Sequence, residues 1–244
     1  MAEQQKKQKP LAVSNFKVDN VAFEVRYDNA YLLWDRAGHV WWELLKTFPS
    51  LEMAEAQPAL TAFTLDDYTS FNVHLDKSFV VSKVSDYPFK DVLKYADALV
   101  ATITSQLKIE MFTRAGFRVT HAREFPSRED AVEVLLGSGI FSPPAGTMFG
   151  VSKARVSPDF NIRWEGENSG TLVRVKVESR KLESKSPPGF EEFESKTVEK
   201  FVLVLDFDYY NTGTISVGQF RASDWINSAS HLIRKDFDKF LRGE

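Results

Sequence analysis

Apolar side chains recur every third or fourth residue from Phe89 to Leu107. Phe89, Val92, Leu93, Ala96, Leu99, Val100, Ile103 and Leu107 therefore share one helical face. Pro88 suits the first helical turn, and Asp86 just upstream favours the positive helix end. The period then changes to two. Met111, Thr113, Ala115, Phe117 and Val119 fall on one side of a strand, and Phe112, Arg114, Gly116 and Arg118 on the other. This core helix and core strand, Pro88 to Phe125, is the pair around which the rest of the chain is arranged.

Earlier in the chain, Val21, Phe23 and Val25 alternate with Ala22, Glu24 and Arg26, so Val18 to Tyr27 reads as a first strand. From Ala30 to Phe48 a helical face gathers Leu33, Ala37, Val40, Trp41, Leu44, Leu45 and Phe48. Gly38 sits inside that helix, where glycine costs about 1 kcal/mol against alanine, and Pro49 ends it. A short strand is expected at Ala59 to Asp66. A hairpin of Tyr68–Leu75 and Phe79–Val84 follows, turning at Asp76-Lys77-Ser78.

Beyond the core strand, Ser127 and Asp130 have capping-box spacing and open a short helix through Ala131, Val134 and Leu135. Met148–Val156, Asp159–Trp164 and Thr171–Ser179 read as antiparallel strands, Arg180 to Lys196 as a charged mobile loop, and Val198 to Tyr210 as the most hydrophobic strand. Ser223 is the expected N-cap of a final helix striped with Trp225, Ile226, Ala229, Leu232, Ile233, Phe237, Phe240 and Leu241.

Such runs of strands with three or four helices define an α+β fold, mostly antiparallel sheet with helices packed on one face. The order β-α-β-β-β-α is followed by β-α-β-β-β-β-α, so two similar β-α-β-β-α halves are expected, 16–110 and 111–244. They would pack intimately within a single domain, 16–244, behind a flexible N-terminal arm, 1–15.

Composition narrows the function classes. The 244 residues include no cysteine, which excludes disulfides, thiolate metal sites and cysteine nucleophiles. A net charge of −3 argues against broad nucleic-acid binding. No apolar run approaches the roughly 20 residues that span a bilayer. Met1 to Pro10 lacks the apolar segment of a secretory signal, so a cytoplasmic location is expected.

Chemical motifs are sparse. There is no phosphate loop, dinucleotide fingerprint, zinc-protease motif or nucleophile elbow, and nothing that asks for a cofactor or a resident metal. Asp206 and Asp208 stand two apart on an otherwise apolar strand, so their carboxylates share a face. Such a pair can hold magnesium, which would make the chain a divergent metal-dependent nuclease or nucleotidyl-transfer enzyme. Arg114 and Arg118, four apart with Gly116 between them, can clamp a small anion by forked hydrogen bonds. The favoured reading of these four is a structural ion-pair network.

Trp34, Asp35, Arg36 and Trp42 concentrate aromatic rings and charge on the first helix, the composition of an interaction hot spot. Trp41 belongs to that helix's buried face. The first expectation is thus a non-enzymatic binding or interaction protein that holds a protein partner or small ligand on its sheet or along this helix. Homo-oligomerisation would use an edge strand or the final helix.

Val21-Ala22-Phe23-Glu24-Val25-Arg26-Tyr27, the helix end Trp42-Glu43-Leu44-Leu45 through Phe48-Pro49, Thr113-Arg114-Ala115-Gly116-Phe117-Arg118 and Leu205-Asp206-Phe207-Asp208 occur in that order. Together they resemble a sporadically distributed prokaryotic family of uncharacterised proteins of about this length. The resemblance implies a small cytoplasmic protein from mobile or accessory genes, with anti-phage defence as one setting. It transfers no catalytic residue.

Overall fold

A computed structural model describes residues 11–83, 87–140, 158–183 and 197–242. The first half runs β1 (Lys17–Arg26), α1 (Leu33–Thr47), β2 (Glu52–Gln57), β3 (Leu60–Asp66), β4 (Thr69–His74), β5 (Lys77–Ser82) and α2 (Lys90–Leu107). The second runs β6 (Met111–Phe112), β7 (Arg114–Phe125), α3 (Arg128–Gly137), β8 (Asp159–Glu165), β9 (Ser169–Glu183), β10 (Thr197–Asn211), β11 (Ile215–Ser216) and α4 (Ala222–Arg242).

Among the described residues nine strands form one sheet in the order β2-β3-β4-β5-β1-β7-β10-β9-β8, and every pairing is antiparallel. The protein is α+β. Strands β5, β4, β3 and β2 step outward from β1, and β10, β9 and β8 step outward from β7, so β1 and β7 lie together at the middle of the sheet.

Alternation dictates which side is core. One row of side chains crosses the sheet as Phe63, Phe71, Val80, Phe23, Phe117, Tyr209, Thr171 and Trp164. All but the last three are buried completely. The buried residues of all four helices join the same cluster, among them Leu44 of α1, Leu99 of α2, Leu135 of α3 and Phe237 of α4. Burying each such side chain stabilises by about 1.5–3 kcal/mol.

Several sequence expectations need correction. The core strand is not continuous. Phe112 is buried and Met111 exposed, because β6 leaves the main sheet to pair with β11. The main ladder restarts beyond Thr113, whose N–H donates to the Arg26 carbonyl (2.8 Å). Leu11 is buried in the core, so the arm is anchored at least from that residue. Strand β9 runs on to Glu183, shortening the expected loop; its remainder, the expected strand at 148–156 and the positions of Asp86 and Val84 lie outside the described residues.

Strand β2 was not expected. Its sequence Glu-Met-Ala-Glu-Ala-Gln is exposed throughout, as a charged edge strand can be. The Ser127 cap is present, its hydroxyl accepting from the Asp130 N–H (3.1 Å). Ser223 is not the cap of α4. Its own N–H donates instead to Asp97 on α2 (3.0 Å), so a neighbouring helix satisfies that terminus.

His121 on β7 faces the core between Phe207 and Phe237, with ring centroids 5.8 and 4.6 Å away. Burial there pushes its pKa down from 6.5 to about 4, because the charged imidazolium loses its hydration. The unfolded chain takes the proton first. The neutral side chain's contribution is therefore complete above about pH 6.5 and falls as pH is lowered towards about 4, by about 3 kcal/mol in all. In urea unfolding series across this window, His121→Leu should lose less stability on acidification than the wild type; parallel curves would contradict this.

Candidate functional site

The sheet face opposite the helices carries the charged residues that the sequence singles out. On this face the register aligns Glu24, Gly116 and Tyr210 in one row, and Arg118 and Asp208 in the next. Arg114 reaches diagonally across. Its Nη1 donates to Glu24 (2.8 Å) and its Nη2 to both oxygens of Asp208 (2.9 Å each). The guanidinium lies over Gly116, where an added Cβ would meet Nη1 at 2.6 Å. Glycine is therefore needed there for Arg114 to bridge β1 and β10. The same guanidinium stands 5.0 Å over the Tyr210 ring, a cation–π distance.

Arg118 forms a forked pair with Asp206 (Nε 2.7 Å, Nη2 2.6 Å), and Arg174 on β9 adds a third bond at 3.0 Å. The Asp206 side chain is 4% exposed against 50% for Arg118. The carboxylate is thus desolvated and relies on these donors, while the arginine keeps water. Hydrogen bonding and charge from Asp206 raise the Arg118 pKa further. At the far end of this face Arg180 joins Glu178 to Asp19 (2.8 Å each).

Arg114, Arg118, Asp206 and Asp208 are therefore brought together and bonded to one another. Both oxygens of each aspartate accept from guanidinium N–H groups, so a metal ion would have to displace arginines. Among the described residues no cluster of three His, Asp or Glu side chains could hold one. An anion would have to detach the arginines from their carboxylates.

The tryptophan cluster divides. Trp34 and Trp42 on α1 are 59% and 54% exposed, and Tyr31, 57% exposed, sets its ring edge-on to Trp34 at 5.4 Å. Asp35 is exposed beside them. Arg36 is not part of this surface, since its Nη1 donates to the Gln106 carbonyl of α2 (3.1 Å). Trp41 packs against the core.

Sequence reading missed a groove on the helix side of the sheet. Helix α4 lies over β10, and its flank (Leu232, Asp236, Lys239, Phe240) faces Trp164, Thr171 and Val173 on β8 and β9 across a cavity of about 370 Å³. Phe207, Tyr209 and Phe237 also line it. The rings meet edge to face, Trp164 with Phe240 at 6.2 Å and Phe207 with Phe240 at 5.9 Å. Asp236 and Lys239, 3.5 Å apart and more than half exposed, lie on its rim. The α4 stripe signalled apolar packing, but only tertiary structure shows that the sheet does not fill all of it.

No described helix is long and apolar enough to cross a membrane. The chain matches no protein-family model and no curated protein.

The charged face predicts a graded response to substitution. Asp206→Asn should lower the unfolding free energy by about 2 kcal/mol, since it strips the counter-charge from two arginines at a desolvated position. Lys200→Ala removes an exposed pair with Glu124 and should cost under about 0.5 kcal/mol. Urea titration of both variants checks this, and equal losses would contradict it. Magnesium or manganese should leave the melting temperature unmoved; a rise that Asp206→Ala abolishes would show a metal centre.

Proposed function

We propose that the protein is a non-enzymatic binding protein whose α+β scaffold holds a compact ligand with a flat, apolar body. The site is the groove between α4 and strands β8 to β10. The observation that carries this reading is the aromatic lining of a cavity of about 370 Å³ by Trp164, Phe207, Tyr209, Phe237 and Phe240. A mostly apolar wall with few polar groups is typical of small-molecule sites, whose volumes run from about 300 to 1,000 Å³. Aromatic rings favour edge-to-face or offset contact, so a ring entering the cavity would meet partners of the kind it prefers. Asp236 and Lys239 pair with each other at 3.5 Å on the exposed rim, and each keeps further hydrogen-bonding capacity for a polar end of the ligand.

The two readings built on the outer face draw less support, because each charged group they need is already bonded within the sheet. A sensor or adaptor of an accessory system, the setting that the family resemblance implies, would use such a groove to take up its ligand.

Titration with a bicyclic aromatic probe such as 1-naphthol, followed by amide NMR, tests the proposal. Shifts should concentrate on β8, β9 and α4, with an affinity in the high-micromolar to millimolar range. Leu232→Trp, placed at a partly exposed wall position, should fill the groove and abolish them while the protein stays folded. Absent shifts, or shifts that survive this variant, would sink the proposal.

A further inference from the structure

On α1, Trp34, Gly38 and Trp42 stand four residues apart and so lie along one line of the helix surface. Both tryptophans are more than half exposed, and Tyr31 extends the stripe by a further turn. Solvent-exposed tryptophan is uncommon in a folded chain, and a contiguous aromatic patch marks a contact surface. Gly38 is exposed, and a Cβ added there would meet nothing within 4 Å. No neighbour among the described residues therefore requires glycine at this position, although glycine weakens a helix interior more than any residue but proline. What remains is close approach from outside. The two rings flank a notch in which only the helix backbone lies.

The pattern is symmetric about Gly38. We propose that α1 is a two-fold contact between two copies of this chain, the helices antiparallel and crossing at Gly38. In that arrangement each exposed residue of the stripe faces the position equally far on the other side of Gly38. Trp34 then packs on Trp42 of the second copy, and Tyr31 on Leu45. Isologous contacts demand this self-complementarity. Charges allow it as well. The positions mirrored from Asp35, Glu43 and Lys46 are Trp41, Leu33 and Ala30, which carry no charge and turn into or against the core, so no like charges are opposed.

The area suits a modest affinity. At roughly 150–250 Å² per aromatic side chain, three rings more than half exposed supply about 300–400 Å² per copy. Flanking Leu32, Asp35 and His39 bring the two-copy total close to the roughly 1,000–1,200 Å² at which specific interfaces begin. The dimer should therefore dissociate on dilution.

Sedimentation velocity of the full chain over a dilution series tests this. The wild type should be dimeric at high concentration and monomeric in the low-micromolar range. Gly38→Gln fills the notch with a better helix former that meets no neighbour in its own chain. It should be monomeric throughout, with a melting temperature equal to or above that of the dilute wild type. Trp42→Lys should also be monomeric. A wild type that is monomeric at every concentration would overturn the proposal, as would a dimer that survives either substitution. Naphthol binding at the α4 groove is read separately, so failure of one proposal leaves the other standing.

Discussion

All four described helices send their buried side chains to the same side of one antiparallel sheet, and each central strand is obliged to be two-faced as a result. On β7, Ala115, Phe117 and Val119 enter the core while Arg114 and Arg118 face away. On β10, Leu203, Leu205 and Phe207 enter it while Asp206 and Asp208 face away. A slip of one residue between these strands would turn arginines into the core and phenylalanines out of it. The outer charges add a second check on register. Basic positions on β7 meet acidic ones on β10 and on β1, and opposite charges across strands stabilise the pairing that brings them together.

The same one-sided roof explains where the groove lies. Helices α1 and α2 pack together and α4 packs on α2, which leaves the other flank of α4 without a helix beside it among the described residues. That flank hangs over β8 and β9, at the edge of the sheet. Val173 beneath it is buried, yet Trp164 one row further out is half exposed. The cavity is thus what remains when a helix with an apolar stripe covers a sheet wider than itself. On the outer face the guanidiniums of Arg114 and Arg118 lie across the strands, bonded to carboxylates of β1 and β10.

Strong periodicity was legible and weak periodicity was not. Helices α1, α2 and α4 and strands β1, β7 and β10 announce themselves because each buries a full face or stripe, so burial and pattern coincide. Strand β2 buries nothing, and no pattern can mark it. The break at Thr113 is invisible in a run that alternates plausibly on both sides of it; a pairing partner a hundred residues away, β11, decides it. The cap of α4 comes from Asp97 on another helix, which no local motif encodes. Proximity of Arg114 and Arg118 to Asp206 and Asp208 was inferable from charge and face. The diagonal pairing over Gly116 was not, because it depends on register. The groove stayed hidden for the same reason, since Trp164 and Phe240 are 76 positions apart in the sequence.

A residue choice that burdens the folded chain points outward when nothing in the chain offsets it. Gly116 fails that test as a functional signal, because Arg114 occupies the space it leaves. Buried Asp206 fails it too, since three guanidinium bonds offset its desolvation. Gly38, with open space around it, and Trp34 and Trp42, held in water on either side, pass. So does the half-exposed Trp164 beside an unfilled aromatic cavity. The charged cluster that drew the eye in the sequence is the part of the molecule most fully accounted for by its own stability. The α1 stripe and the groove under α4 are not so accounted for, and both proposed contacts rest on that difference.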